Sequence, residues 1–270
     1  MKLCRFQPLD RATNAGKSAR EIHAESRAGV LEGDVIREIY GELWGSRASV
    51  GRKWRPEEVR FLPPSAPTKI VCVGKNYLDH ISEMGGPAPK EPLIFLKPPS
   101  SIIAPEESIV LPANSQRVDY EGELAVIIAR RCSRLRPDED VKPYIAGYTC
   151  LNDVTARDFQ KSDVQFTRAK GFDTFCPFGS VLETESPVGG ATVETFVNGV
   201  QKQSGRIEQM IFSVDVVLRY ITQVMTLEPG DVVSTGTPSG VGPLSAGDVV
   251  EVRVGGVGAL RNNVVAAPKA

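Results

Sequence analysis

A series of short apolar segments, each bounded by turn residues, limits the folds open to this sequence of 270 residues. The segments are rich in β-branched side chains, as is typical of β-strands. They occupy residues 124–128, 148–151, 192–197, 231–234 and 249–254. Asn198 and Gly199 lie between Val197 and Val200, and this Asn-Gly pair predicts a tight hairpin. The regular alternation of strands and helices that builds a doubly wound sheet is missing.

One segment has a clear helical pattern. Residues 213–224 place apolar side chains on one helical face, namely those of Val214, Val217, Leu218 and Ile221. With many strand-like segments and few helices, the sequence predicts an α+β fold that is predominantly β.

The length suits one large domain, or one domain with a small addition. Residues 1–60 combine short strand-like pieces with glycine-containing turns and are predicted to form a small N-terminal module. Residues 61–69 contain three prolines within five positions, which predicts a linker. A new strand begins at residues 70–73, and residues 70–270 are predicted to form the main domain.

Charge and cysteine content narrow the class of protein. The 33 acidic residues nearly balance the 32 basic residues, so we expect neither a nucleic-acid nor a membrane partner. The five cysteines are odd in number and form no CxxC pair, which argues against a disulfide framework or a zinc site. The sequence shows neither the apolar core of a signal peptide nor an apolar run of membrane-spanning length. We therefore expect a cytoplasmic protein.

Carboxylates precede the most apolar of the strand-like segments. In the stretch VDYEGELAVII, Asp119, Glu121 and Glu123 lead into five consecutive apolar residues. Side chains two apart in a strand point the same way, so Glu121 and Glu123 would face each other's charge. Burying them without partners would cost several kcal/mol each. Either a cation lies between them or one of them is protonated.

A third carboxylate, Asp153, follows the strand-like segment 148–151. Three carboxylates without a nearby Cys or His form an all-oxygen site, which favours Mg²⁺ or Mn²⁺, with Ca²⁺ as a further option, over Zn²⁺. The alternative is a solvated edge strand whose acids pair with arginines such as Arg130, Arg131 or Arg157. The spacing alone leaves both interpretations open.

Of the two histidines, His80 is the candidate for chemistry. One helical turn would bring it next to Glu83, and a carboxylate beside an imidazole orients a general base. The glycines and prolines of residues 85–89 predict a loop, so this turn would lie on a mobile lid. The alternative is an exposed pair on a helix surface. His23 is predicted to be a surface residue of the N-terminal module.

Several stretches together resemble the fumarylacetoacetate hydrolase family. They occur in the family's order and cover about residues 70 to 265. The matching stretches are VGKNYLDHISEMG, IFLKPPSSI, VDYEGELAVII, GYTCLNDVTARDFQ, RAKGFDTFCPFG and MTLEPGDVVSTGTPSGVGPL. The short N-terminal module is similar to that of bacterial members.

The resemblance implies a fold, a cofactor and a set of site residues. The fold would be a mixed β-sandwich roll, usually in a homodimer. A Mg²⁺ or Mn²⁺ ion would be held by Glu121, Glu123 and Asp153. The implied catalytic residues are His80, Glu83 and Lys170, and the implied substrate-binding residues are Arg157, Gln160 and Thr237.

The resemblance also implies a small keto-acid substrate, without settling the reaction. We expect a metal-dependent hydrolase that cleaves a carbon–carbon bond in a β-diketo acid, of acylpyruvate or fumarylpyruvate type. The same electron sink would serve a decarboxylase or isomerase of aromatic catabolism, such as a 2-hydroxyhepta-2,4-diene-1,7-dioate isomerase or an oxaloacetate decarboxylase. A catalytically silent metal-binding paralogue is the third alternative.

Overall fold

The computed structural model describes residues 1–9, 26–41, 43–187 and 190–268. His23 lies outside these residues. The described part contains four α-helices, and none of them is long and apolar enough to cross a membrane. They are α1 (Leu78–Met84), α2 (Arg157–Ser162), α3 (Thr167–Lys170) and α4 (Val214–Val224).

Strands dominate the described residues. They are β1 (Lys2–Pro8), β2 (Arg27–Glu32), β3 (Val35–Gly41), β4 (Arg47–Trp54), β5 (Val59–Leu62), β6 (Ile70–Gly74), β7 (Leu93–Lys97), β8 (Ile102–Ile103), β9 (Ser108–Leu111), β10 (Val118–Tyr120), β11 (Gly122–Ile128), β12 (Ile145–Asn152), β13 (Thr155–Ala156), β14 (Cys176–Glu183), β15 (Thr192–Val197), β16 (Val200–Arg206), β17 (Val232–Ser234), β18 (Gly242–Pro243), β19 (Val249–Val254) and β20 (Gly258–Ala266). The predicted α+β class with predominant β structure is confirmed.

The strands within the described ranges form three sheets. The largest has the order β4-β3-β2-β1-β14-β12-β11-β17-β6-β7, with β5 added beside β1 and β8 beside β14. A sheet of five strands has the order β16-β15-β19-β20-β9, and a small one has the order β13-β10-β18. Most neighbours are antiparallel, whereas β17 and β6 run parallel.

The central strand β11 is buried on both faces, which explains its uninterrupted apolar run. Leu124, Val126 and Ile128 pack toward the five-stranded sheet and α4. Ala125 and Ile127 pack into a second cluster that includes Leu3 of β1 and Phe178 of β14. The strand therefore has no solvent-facing side on which an alternating polar pattern could appear.

The N-terminal strands are continuous with the large sheet. β1 pairs with β14, for example Leu3 with Leu182, and β5 pairs with β1. β5 ends at Leu62, so it includes the first two residues of the segment predicted as a linker. These two residues are held by main-chain pairing to β1, and the prolines begin only after them.

The hairpin and the long helix follow their sequence signals. Asn198 and Gly199 have positive φ angles of 51° and 77° at the turn between β15 and β16, as a type I′ turn requires. α4 begins after Ser213, whose side chain accepts a hydrogen bond from the backbone N–H of Val216. Its buried residues include Val217, Leu218 and Ile221, which lie on the predicted apolar face.

Candidate active site

Three acidic side chains converge where β11 and β12 meet the small sheet. One ligand oxygen from each of Glu121, Glu123 and Asp153 lies within 4.8 Å of the other two. All three residues are buried. The backbone N–H of Asp153 donates to the carbonyl of Glu121 at 2.8 Å, so the β11–β12 ladder itself brings the carboxylates together.

Glu123 is held by the chain that follows β17. Its Oε2 accepts hydrogen bonds from the hydroxyl of Ser234 and from the backbone N–H of Gly236 at 2.8 Å. Gly236 has a φ of 98°, and a Cβ there would lie 2.7 Å from the Cβ of Asn76. Only glycine therefore allows this backbone to approach the carboxylate. Burial, reinforced by the charges of Asp153 and Glu121, raises the pKa of Glu123 well above its usual range.

Two lysines bind the other two acids. Lys170 donates to Glu121 Oε2 at 2.7 Å and to Asp153 Oδ2 at 2.5 Å. Lys97 donates to Asp153 Oδ1 at 2.6 Å and to the carbonyl of Val154 at 3.1 Å. Burial opposes a charged amine, yet the charges of Asp153 and Glu121 raise the pKa of Lys170 above its usual value. The carboxylate cluster is therefore lined by fixed cations.

Arg157 is the third cation at the cluster. Its Nη2 donates to Glu121 Oε1, and its Nε donates to Asp119 Oδ2 at 2.8 Å. Burial would raise the pKa of Glu121, but the charges of Arg157 and Lys170 outweigh it and hold this pKa well below its usual range. The pairing with Arg157 that the sequence offered as an alternative thus occurs, although in a buried site and not on a solvated edge.

The chemistry of the cluster fits a hard divalent cation. The converging groups of Glu121, Glu123 and Asp153 offer only carboxylate oxygens, which Mg²⁺, Mn²⁺ and Ca²⁺ prefer. Within the described residues, both hydrogen bonds accepted by Glu123 go to Oε2, which leaves Oε1 for a ligand. A bound cation would also offset the repulsion that raises the pKa of Glu123.

His80 and Glu83 form the predicted pair on α1. His80 Nδ1 lies 3.3 Å from Glu83 Oε2, and His80 is only 6% exposed. Both oxygens of Glu83 lie 3.2 Å from the backbone N–H of Gly240, which donates to them. The carbonyl of Gly240 accepts a hydrogen bond at 3.0 Å from the hydroxyl of Tyr120, the residue before Glu121, so α1 is connected to the chain that carries the carboxylate cluster.

The residues expected to bind substrate are at the same site but are already partnered. Gln160 Oε1 accepts a hydrogen bond from Arg157 Nη1 at 2.7 Å. The hydroxyl of Thr237 donates to the carbonyl of Gly122 at 2.8 Å and accepts from Gln203 Nε2 at 2.8 Å. Thr237 therefore ties the loop after β17 to the start of β11.

Sequence reasoning missed three groups that shape the site. Lys97 ends the apolar strand β7 and is buried, and a lysine directly after four apolar residues is the sequence signal that could have indicated it. Gln203 is buried and accepts from the backbone N–H of Gly122 at 3.0 Å. The sequence predicts Ser234 only as part of a strand, and nothing in its local sequence indicates its contact with Glu123.

The family models, the related proteins and the solved structures that match this chain point to one family. The family described as Fumarylacetoacetate (FAA) hydrolase C-terminal matches residues 69–265, and the family described as Rv2993c-like, N-terminal matches residues 1–64. The human protein named oxaloacetate tautomerase FAHD2A, mitochondrial, is 42% identical over 221 residues, which are 77% of this chain and 70% of that protein.

Two solved structures extend the likeness over the whole fold. The crystal structure of 2-hydroxyhepta-2,4-diene-1,7-dioate isomerase from Mycobacterium marinum has a TM-score of 0.87 at 40% identity, with 100% of both chains covered. The crystal structure of maleylpyruvate hydrolase from Sphingobium sp. SYK-6, in complex with manganese (II) ion and pyruvate, has a TM-score of 0.77 at 27% identity. That comparison covers 99% of this chain and 100% of the other.

Proposed function

The chain belongs to the fumarylacetoacetate hydrolase family of enzymes, and on that premise we propose that it is a metal-dependent hydrolase of β-diketo acids. The scissile bond would be a carbon–carbon bond in a substrate of acylpyruvate or fumarylpyruvate type. The observation that carries the proposal is the convergence of Glu121, Glu123 and Asp153 within 4.8 Å, together with the paired His80 and Glu83.

The charge balance of the site supports an anionic substrate. Two of the three carboxylates, Glu121 and Asp153, already contact three cations, which are Lys97, Lys170 and Arg157. Adding a divalent ion would leave this buried cluster with excess positive charge. A keto acid that carries one or two carboxylates and forms an enolate would restore neutrality.

The metal cofactor and the general base would have separate roles in the reaction. A divalent ion held by Glu121, Glu123 and Asp153 would act as a Lewis acid toward the keto oxygens of the substrate. His80 would take a proton from water, with Nδ1 oriented by Glu83, so that the hydroxide attacks the distal carbonyl. The carbon–carbon bond would then break, and its electron pair would form the enolate of the departing keto acid. Return of the proton to that carbon would give pyruvate and a second carboxylic acid. Glu83 is itself fixed by the N–H of Gly240.

The cationic and polar side chains would stabilise the developing negative charge and orient the substrate. Once its two carboxylate acceptors bind a metal, Lys170 would present its ammonium group to the developing oxyanion. Gln160 uses its Oε1 for Arg157, so its amide N–H groups would be free to donate to a substrate oxygen. Thr237, whose hydroxyl donates to Gly122, would act by holding the loop at the substrate's edge.

A second candidate reaction is tautomerisation or double-bond isomerisation. It is favoured by the relatives named oxaloacetate tautomerase, at 42% identity, and 2-hydroxyhepta-2,4-diene-1,7-dioate isomerase, at 40% identity. In this case His80 would move a proton between substrate atoms and would not activate water. The same residues serve both reactions, because each passes through an enolate that needs charge stabilisation.

Product analysis distinguishes the two candidates. The Mn²⁺-loaded and Mg²⁺-loaded protein is incubated separately with acylpyruvates, with oxaloacetate and with hydroxylated diene-dioates, and products are followed by NMR. A hydrolase releases pyruvate and a second carboxylic acid from an acylpyruvate without CO₂. Isomer formation alone would establish the second candidate, and CO₂ as the only cleavage product would contradict both.

We propose Mg²⁺ as the cofactor, with Mn²⁺ or Ca²⁺ as substitutes, which parallel activity and ion-binding titrations would rank. We also propose a homodimer, which analytical ultracentrifugation would test. A cytoplasmic location is supported by the five cysteines, all free and buried, and fractionation of the source cell would test it.

A further inference from the structure

Asp119 is a buried acid that the proposed mechanism leaves without a task. It lies on β10, two residues before Glu121, and its relative exposure is 0%. The carboxylates that converge within the described ranges are Glu121, Glu123 and Asp153, and Asp119 is not one of them. A fully buried aspartate outside the cluster needs a separate explanation.

Both oxygens of Asp119 accept hydrogen bonds from arginines. Arg117 donates from Nε to Oδ1 at 2.8 Å and from Nη2 to Oδ2 at 3.1 Å. Arg157 donates from Nε to Oδ2 at 2.8 Å. The Arg117 side chain is 52% exposed, whereas that of Arg157 is 4% exposed. Asp119 thus lies between an outer, solvated cation and an inner, buried one.

The inner arginine, Arg157, connects Asp119 to the carboxylate cluster. Arg157 donates from Nη2 to Glu121 Oε1 and from Nη1 to Gln160 Oε1 at 2.7 Å. With Asp119 on Nε, the guanidinium is fixed on three sides. Arg157 therefore holds one oxygen of Glu121, while the other oxygen accepts from Lys170.

The positive charge of Arg157 has two opposite effects on metal binding by the carboxylate cluster. Arg157 orients Glu121 through a charge-assisted hydrogen bond. The same positive charge repels a divalent ion bound by Glu121, and solvent screens that repulsion poorly in a buried site. Asp119, in direct contact with Arg157, offsets the repulsion without itself binding the ion.

We propose that Asp119 is a positioning residue which, through Arg157, fixes Glu121 and raises the affinity of the carboxylate cluster for a divalent cation. The inference rests on the metal dependence proposed above. Partners outside the ligand shell typically change metal affinity about 10–100-fold. We expect an effect of this size from Asp119, because its negative charge offsets the positive charge of Arg157, which contacts the proposed metal ligand Glu121.

Calorimetric titration of the full chain with Mn²⁺ tests the inference, with free Mn²⁺ counted by electron paramagnetic resonance. Asp119→Asn keeps the size of the side chain and one acceptor for Arg157 but removes the charge. We expect the Kd for Mn²⁺ to rise about 10–100-fold.

The matched control is Asp231→Asn. Asp231 is also fully buried and pairs with Lys69 at 2.5 Å, without contact to the carboxylate cluster. This variant should unfold at a lower temperature but keep the wild-type Kd within about twofold. Equal losses of affinity in D119N and D231N would overturn the inference, because general loosening would explain both.

A double variant separates the charge effect from folding. Asp119→Asn with Arg157→Met removes both opposite charges, and buried ion pairs often tolerate such replacement. The double variant should bind Mn²⁺ within about tenfold of wild type and more tightly than D119N. It also carries the test if D119N does not fold, and a hundredfold loss would then overturn the inference.

The remaining outcomes are equally decisive. Wild-type affinity in folded D119N would overturn the role of Asp119 and leave the proposed function intact. Absence of Mn²⁺ binding in the wild-type protein would refute the metal dependence, and with it this inference.

Discussion

The carboxylate cluster and helix α1 contribute to one site, but the cluster is buried and firmly bonded, whereas α1 is largely exposed and held by few contacts. Glu121, Glu123 and Asp153 are buried, at 1–5% exposure, and each carboxylate is bound by a backbone or cationic group of another segment. The seven residues of α1 include only two that are buried, His80 and Ile81. The helix also exposes apolar Leu78 and Met84.

The contacts of α1 are concentrated at its two ends. Before the helix, Asn76 donates from Nδ2 to the carbonyls of Phe212 and Thr235 at 3.0 and 2.7 Å. At the far end, Glu83 accepts from Gly240, whose carbonyl in turn accepts from Tyr120 of β10. Few buried apolar contacts lie between these points, as is typical of segments that open locally.

This difference separates two requirements of catalysis. The cluster must hold repelling charges together before any ligand arrives, so it is built into the central strands of the sheet. The proposed base, His80, would have to reach the substrate and let the product leave, which suits its place on a short, lightly attached helix. Four predictions test this division.

The largest effect is expected from the cluster. Glu123→Gln should abolish Mn²⁺ binding and lower kcat/KM by about 10³-fold or more, because it would remove a proposed metal ligand. Burial already favours the neutral form of Glu123, so the ion-free fold should stay intact. Circular dichroism and titration check both points, with Glu251→Gln as control. Equal turnover by ion-free and ion-loaded wild-type protein would contradict the whole account.

The next effect is expected from the base on α1. His80→Ala should lower kcat by about 10²–10⁴-fold, the usual contribution of general acid–base catalysis. The Kd for Mn²⁺ should stay near that of wild type, since His80 is not a ligand of the cluster. Steady-state kinetics and metal titration measure the two quantities. An unchanged kcat would remove His80 from the mechanism.

A smaller effect is expected from the attachment of α1. Asn76→Ala removes the hydrogen bonds to Phe212 and Thr235, and a displacement of His80 by about 1 Å would cost about 10²-fold in kcat. Mn²⁺ affinity should change much less than kcat. Kinetics and titration of the same preparation provide the comparison. If metal affinity fell as far as kcat, the two regions would not be separable.

The smallest effect concerns motion without mutation. Residues 76–90 should become several-fold more resistant to limited proteolysis when Mg²⁺ and oxalate are both present, because closure of α1 over ligand removes open states. Mass spectrometry would locate the cuts. Equal cleavage with and without the two ligands would show that α1 is not a lid.

The sequence predicted the parts of the site that depend on local periodicity. The turn at Asn198, the apolar face of α4, and the strands that flank Glu121, Glu123 and Asp153 are all properties of neighbouring residues. The roles of these acids, like those of His80 and Lys170, stay predictions until the experiments above are done.

The sequence did not predict most of the partners of the carboxylates. Lys97 lies 56 positions from Asp153, and Ser234 lies 111 positions from Glu123. Arg157 was an expected partner only on a solvated edge, and its sequence gave no reason to expect buried contacts to both Asp119 and Glu121. No local rule predicts such pairs, since they form only when distant strands are packed side by side.

By itself, then, the sequence determined the predominance of strands, the turn chemistry and the set of acids, histidine and lysine available for chemistry. The tertiary structure alone decided which cation neutralises which acid and how firmly each is held. The physical reason is that strand and turn propensities act between neighbours along the chain. A buried charge, by contrast, is stabilised only by the groups that the complete fold places within hydrogen-bond distance of it.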